Sequence, residues 1–178
     1  MSLPSNVIFK TERLYLTEFS PDIAKEFYEL NSDKEVLRYT GDQAFANIKS
    51  AIDFLQEYDS YEKHGFGRWS LYTKENDTWI GWCGLRKNTL GHVDLGFRLH
   101  RRFWNNGYAT EASNACLKYA FENLELDLII ARSNVNNQAS IKVIKKISLL
   151  QWKTEIDPEM GETIYFQISR EMYMSNRI

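Results

Sequence analysis

The spacing of apolar positions changes period several times along the chain. Arg13 to Phe19 (RLYLTEF) alternates Leu14 and Leu16 with Tyr15 and Thr17, the two-residue period of a strand. Ser20-Pro21 then predicts a helix start, with Ser as N-cap and Pro, whose φ is already helical, in the first turn. Ile23, Ala24, Phe27 and Tyr28 continue it at helical spacing, and a short further turn is predicted over 33–39. Asn47 predicts the cap of a longer helix carrying Ile48, Ala51, Ile52, Leu55 and Tyr58 on one face and stopping at His64-Gly65.

Three strand patterns follow over 68–73, 78–85 and 92–99. Lys74-Glu75-Asn76-Asp77 and a turn at Leu90-Gly91 join them, so they predict an antiparallel meander. A helix over 108–122 turns Ala112, Ala115, Cys116, Tyr119 and Ala120 inward. The strand over 127–133 is apolar in its middle and is expected to be central, a helix is predicted over 137–147, and two last strands near 149–155 and 163–169. The strand–helix–strand step from His92 to Ser133 is a crossover, which makes its two strands parallel neighbours. The reading is one α/β domain, residues 1–178, on a mixed, mostly antiparallel sheet of about seven strands, roughly the sum of these patterns.

Composition narrows the function classes. The 178 residues are 43% hydrophobic and 26% charged, ordinary globular usage. A net charge of −2 offers no basic field, so direct nucleic-acid binding is not expected. Cys83 and Cys116 form no CxxC pair, and three widely spaced His make no HExxH, so no metal site is expected. The thiols read as buried Cys of a reducing compartment. Neither a membrane span nor a signal peptide is legible, and a cytoplasmic protein is expected. Aromatic residues, 14% of the chain, suit an amphipathic cleft and a well-filled core equally.

The chemistry concentrates in Arg101 to Ala112 (RRFWNNGYATEA), between a predicted strand and helix. The first N–H groups of a helix lack internal partners and carry the positive end of its dipole. Asn105, Asn106, Gly107, Tyr108, Ala109 and Thr110 therefore form a candidate anion site suited to a pyrophosphate, with Gly107 permitting close backbone approach. The same residues also make an ordinary helix start. Arg101 and Arg102 read either as added charge for phosphates or as a solvated pair.

The stretch resembles the acetyl-CoA signature of the GNAT superfamily of N-acetyltransferases, Q/R-x-x-G-x-G/A, with Gly107 and Ala109 on its last two fixed positions and Trp104 on the first. Trp104 to Ala112, W-N-N-G-Y-A-T-E-A, is similar to the W-G-x-G-Y-A-T-E-A of the branch of ribosomal-protein-alanine N-acetyltransferases (RimJ/RimL-like), departing at Asn105. Asn137-Gln138-Ala139-Ser140 matches that branch's N-x-x-S, and Thr11-Glu12-Arg13-Leu14 and Ser169 to Tyr173 resemble its ends, so the likeness covers nearly the whole chain. The segment usually reading E-K-x-G-F is here Lys145-Lys146-Ile147-Ser148-Leu149, which puts the helix end and the acceptor side in question.

The resemblance implies a sheet with helices on both faces and a splayed parallel pair at its centre. It implies acetyl transfer from acetyl-CoA, without metal, to an amine: a protein N-terminus or a small molecule. It also implies that the backbone of Phe97, Arg98 and Leu99 pairs with the pantetheine arm and polarises the thioester carbonyl, and that Asn137 and Arg102 lie toward the cofactor. Family members that use a Tyr acid carry it where this chain has Ile144, so Ser140 becomes the candidate acid, with helix capping as its other reading. Asp94, on one strand face with His92 and Gly96, is the candidate base, directly or through water; Glu111 is second and reads better as a structural contact. Tyr39, Trp69, Trp82 and Tyr165 are candidates for the acceptor wall, or core aromatics. Lys142, Lys145 and Lys146 read as a solvated face within reach of a 3′-phosphate. Homodimers occur in the family. A non-catalytic CoA-binding module on the same fold is the competing function, while a nucleotide-binding protein lacks its P-loop or GxGxxG.

Overall fold

The computed structural model describes residues 6–88 and 91–175. The elements are β1 (Val7–Lys10), β2 (Leu14–Thr17), α1 (Ala24–Leu30), α2 (Lys34–Leu37), α3 (Ile48–Gln56), α4 (Ser60–His64), β3 (Arg68–Thr73), β4 (Trp79–Lys87) and β5 (Val93–Leu99). They continue with α5 (Tyr108–Glu122), β6 (Leu128–Asn134), α6 (Gln138–Lys146), β7 (Leu150–Asp157), β8 (Gly161–Ser169) and α7 (Arg170–Ser175). Eight strands join one sheet in the order β1-β2-β3-β4-β5-β6-β8-β7. Every pairing is antiparallel except β5 with β6, the crossover pair expected from the sequence.

Local chemistry starts the helices where the sequence predicts. Ser20 Oγ accepts from Asp22 N–H and Pro21 opens the 3-10 turn before α1. Asn47 caps α3 by accepting from Ser50 N–H at 2.9 Å. The single helix expected over 48–64 is two, because tertiary bonds set α4 apart. Tyr58 hydroxyl accepts from Arg68 N–H at 2.7 Å, and Tyr61 hydroxyl accepts from Phe19 N–H at 3.0 Å while donating to Arg68 O. Gly65, at φ 74°, ends α4 in the left-handed cap the sequence announces. The strand β1 and the short α7 are additions to the expected order. Of the predicted turn at 90–91, Leu90 lies outside the described residues.

Two apolar clusters hold helices to the sheet. The larger joins α5 and α6, through Ala112, Cys116, Phe121, Ile141 and Ile144, to Leu14, Leu71, Ile80, Leu85 and Ile129. The smaller joins Ile23, Phe27, Leu30, Ala51 and Leu55 to Trp79. Full burial of such side chains contributes about 1.5–3 kcal/mol each, so the larger cluster dominates stability and the smaller one is left to shape a cavity. A bulge in β4 serves both: the β3 register steps from Gly81 at Leu71 to Trp79 at Tyr72, skipping Ile80. Trp79 and Trp82 thereby join the smaller cluster while Ile80, Cys83 and Leu85 join the larger. Cys83 and Cys116 are buried free thiols, as expected, with sulfurs 3.5 Å apart.

The site is positioned by where β5 and β6 part. Their register covers only Val93 with Ile129 and Asp94 with Ile130. Beyond Asp94, β5 stays with β4 as far as Leu99, and β6 stays with β8 as far as Asn134. The sheet opens into a cleft, and among the described residues the β6-facing backbone of 95–99 has no strand partner.

Candidate active site

Asp94 is the last residue of β5 paired with β6, and only 4% of it is exposed. Its Oδ2 accepts from Arg68 Nη2 at 2.9 Å, and Arg86 approaches the same oxygen at 4.0 Å. Arg68 also donates to the carbonyls of Asp94, at 3.1 Å, and Gly84. Gly96 makes room for this: a Cβ there would lie 2.7 Å from Arg68 Nη2. A buried ion pair is tolerated only when its remaining hydrogen-bonding groups are satisfied, and these two carbonyls supply that. The Arg68 and Arg98 guanidiniums sit 5.1 and 5.3 Å from the Trp82 ring centre.

A cavity of about 470 Å³ fills the cleft. One wall is β5, from Asp94 to Arg98; the opposite wall is Ser133, Asn137, Ser140 and Ile144. Asn137 caps α6, accepting from Ser140 N–H at 3.1 Å. Ser140 enters that cap through its backbone N–H and also lines the cavity. Toward the N-terminal elements the lining is Phe19, Phe27, Phe45, Phe54 and Tyr58. The segment at Tyr39 to Gln43 and the β7–β8 turn at Glu159-Met160 complete it.

The loop after β5 makes a different surface, outside the cavity lining. Asn105 (φ 61°) and Gly107 (φ 80°) turn the chain through left-handed conformations into α5. No side chain caps this helix, and its first internal bond runs from Glu111 N–H to Gly107 O. The N–H groups of Tyr108, Ala109 and Thr110 thus stand at a half-buried helix start without a side-chain cap, an arrangement that can take a pyrophosphate. Asn106 Nδ2 donates to Trp104 O, and Asn106 O accepts from Arg13 Nη1, each at 3.0 Å. Trp104 Nε1 donates to Leu99 O at 2.8 Å, joining the loop to the end of β5.

Glu111 closes a strap to the N-terminal strands. It accepts from the Thr11 hydroxyl, from Arg13 N–H at 2.8 Å and from Arg13 Nε at 2.7 Å. Burial pushes its carboxyl up, but these donors and the Arg13 charge outweigh burial and hold it below the ordinary glutamate value. It does not line the cavity, in keeping with its structural reading.

Of the sequence-predicted residues, Asp94, Phe97, Arg98, Asn137 and Ser140 gather at the cavity with Tyr39 and Trp82. Leu99 buries its side chain, and Arg102 is exposed over Phe103. Arg101 is drawn to Asp33 at 2.6 Å. Two of the aromatics stay away from the cavity, Trp69 taking its core reading. Trp69 is 1% exposed and packs in the core against Phe9 and Tyr119, and Tyr165 bonds to Asp157 outside the cavity. The lysines 142, 145 and 146 form an exposed face. Sequence reading missed Arg68, although an arginine inside a strand of otherwise uncharged residues signals a buried partner. It also missed the Arg98 side chain, which reaches Asn31 and Asp42. Among the described residues, no group of three or more His, Cys, Asp or Glu is placed to hold a metal ion, and no helix is long and apolar enough to cross a membrane.

Residues 13–149 match the model of an acetyltransferase (GNAT) domain. The chain is 32% identical over 141 residues, 78% of its length and 79% of the relative's, to an uncharacterized N-acetyltransferase, p20, of Bacillus licheniformis. The fold superposes on an acetyltransferase (GNAT family) from Bacillus anthracis with a TM-score of 0.79, at 24% identity, covering 91% of this chain and 98% of that one. It also superposes on the spermidine N-acetyltransferase from Vibrio cholerae in complex with CoA and spermine, with a TM-score of 0.78, at 14% identity and the same coverages. With a cleft opened at Asp94 and a family model spanning most of the sequence, the chain belongs to the GNAT acetyltransferase family.

Proposed function

We propose that the protein transfers the acetyl group of acetyl-CoA to a primary amine by direct attack, as a cytoplasmic enzyme of the branch similar to the ribosomal-protein-alanine N-acetyltransferases. The observation that carries this reading is the parting of β5 from β6 beyond Asp94, which leaves a strand edge facing a cavity that also holds Ser140.

Acetyl-CoA supplies an activated acyl group as a thioester; the chain supplies position and proton transfer. The uncapped start of α5, at 105–110, holds the pyrophosphate with backbone donors, which the Asn105 departure leaves in place. The open edge of β5 takes the pantetheine arm as an added strand, and an N–H within Phe97–Leu99 polarises the carbonyl where negative charge develops. The acceptor amine, cationic near neutral pH, must first lose a proton. Asp94 is nearly enclosed, so it takes that proton through one water while Arg68 fixes the carboxylate. A thiol has a pKa of about 8.5, so the departing thiolate gains from an acid, and Ser140, a residue of the opposite wall, supplies it.

Calorimetry with acetyl-CoA, together with thiol release in a panel of amines, tests the reading. Gly107→Val should abolish tight cofactor binding, since φ 80° is closed to a β-branched residue and the loop must refold to accept it. Unchanged affinity in that variant overturns the cofactor site. Binding without thiol release from any amine identifies a non-catalytic CoA-binding module instead.

A further inference from the structure

Resting on the acetyltransferase reading, we infer that the acceptor is a compact arylalkylamine: one primary amine on a short chain bearing an aromatic ring. The charge balance of the cavity is the first ground. Its lining carries four guanidiniums, Arg68, Arg86, Arg98 and Arg132, against three carboxylates, Asp42, Asp94 and Glu159. Asp94 is paired with Arg68 and Asp42 with Arg98, while Arg132 is held by Asp157 at 2.6 Å. Among the described residues only Glu159, on the exposed β7–β8 turn, is a lining carboxylate outside an ion pair. A polyamine brings several ammonium groups and would leave most of them opposite paired or positive groups.

The aromatic wall is the second ground. Phe27 and Phe54 stack with centroids 5.5 Å apart, Phe45 lies 5.7 Å from Phe54, and Tyr58 bridges Phe54 and Phe19 at 5.9 and 5.0 Å. Phe54 remains 40% exposed although it belongs to this cluster, so its ring presents a face that the protein itself does not cover. Aromatic pairs in offset or edge arrangements gain about 0.5–1.5 kcal/mol beyond their buried area, and a ring on the acceptor would complete the set. Trp82 is approached by Arg68 and Arg98 and Phe27 is 4% exposed, so Phe54 is the lining ring most open to a ligand.

Enclosure is the third. The backbone of Gly41 packs so closely on Glu159 that a Cβ at 41 would lie 2.7 Å from the Glu159 carbonyl carbon. Thr40, Asp42 and Glu159 all line the cavity, so its N-terminal and C-terminal walls meet at that contact. The thioester end and the acceptor share about 470 Å³, a volume that suits a small amine. In the transfer, the C–N bond forms as the C–S bond breaks. The attacking amine gives up one proton and the CoA sulfur receives one, so no further reactant is required.

Thiol release measured with phenethylamine, tryptamine, propylamine, spermidine and a tetrapeptide with a free amino terminus tests the inference, alongside calorimetry with acetyl-CoA on the same sample. The expected result is kcat/KM higher by up to about tenfold for the two arylalkylamines than for the other three, the range of one aromatic contact. Phe54→Ala should erase that preference by raising KM for tryptamine, with acetyl-CoA affinity retained; Phe45→Ala repeats the test from a second position. Preference for spermidine or the tetrapeptide overturns the aromatic acceptor and leaves the acetyltransferase standing. Arylalkylamines that release no thiol also overturn it, and the calorimetry then reports separately whether the cofactor site has fallen with it.

Discussion

Asp94 on β5 and Ser140 on α6 line one cavity, and their proposed roles separate by pH. A base that takes a proton from an ammonium group becomes dispensable as the amine deprotonates. Asp94→Asn should therefore lower kcat by about 10²-fold near neutral pH and recover part of the loss as pH rises. Removing an acid that serves the thiolate gives no such recovery. Ser140→Ala should lower kcat by about 10²-fold across the same range, with little change in the KM for acetyl-CoA. Stopped-flow pH profiles of both variants check this. A flat, near-native profile for Asp94→Asn removes it as the base, and an effect of Ser140→Ala confined to KM moves that residue to cofactor binding. Both residues were candidates in the sequence, Asp94 from the strand position where the resemblance implies a carboxylate and Ser140 from N-x-x-S. Arg68 was not, because its partner lies 26 positions away and only the pairing of β3, β4 and β5 brings the two together.

At the scale of elements, the start of α5 depends on a strap reaching back about a hundred residues to Thr11 and Arg13. Because the Glu111 carboxyl is held below its ordinary value, the folded protein binds that proton less readily than the unfolded chain. The strap's stabilisation is full above the ordinary glutamate pKa near about 4.3 and is lost as pH falls through the lower folded value. Glu111→Gln should lower Tm at neutral pH, with each kcal/mol lost read as about 2–4 °C in a chain this size. From about pH 5 to about pH 3 the native protein should lose more Tm than the variant, as measured by calorimetry. Elements with strong local signals were legible: Ser20-Pro21, the Asn47 and Asn137 caps and the Gly65 stop all act as their chemistry dictates. The break between α3 and α4 was not, since two tyrosine hydroxyls bonded to Phe19 and Arg68 impose it from outside the helix.

For the whole molecule, the Gly41–Glu159 contact and the reach of Arg98 to Asp42 join the N-terminal helices, the central strand and the last hairpin around one cavity. Gly41 has φ 74° as well as no space for a Cβ. Gly41→Ala should part the two walls, raising KM for the amine several-fold with acetyl-CoA affinity retained, and lowering Tm. Left-handed strain of about 1 kcal/mol or more adds to the clash. Steady-state kinetics with calorimetry decide it, and an unchanged amine KM means that this closure does not shape the acceptor site. The sequence alone determined most of the order of elements, the parallel crossover pair and the turn into α5 proposed as an anion site, because each rests on short-range periodicity, capping and turn chemistry. Tertiary structure decided how far β5 and β6 stay paired, which aromatics line the cavity and which fill the core, and which charges cancel. Those outcomes depend on register and packing between segments far apart in the chain, and a two-residue or 3.6-residue period carries no information about which distant face a side chain will meet.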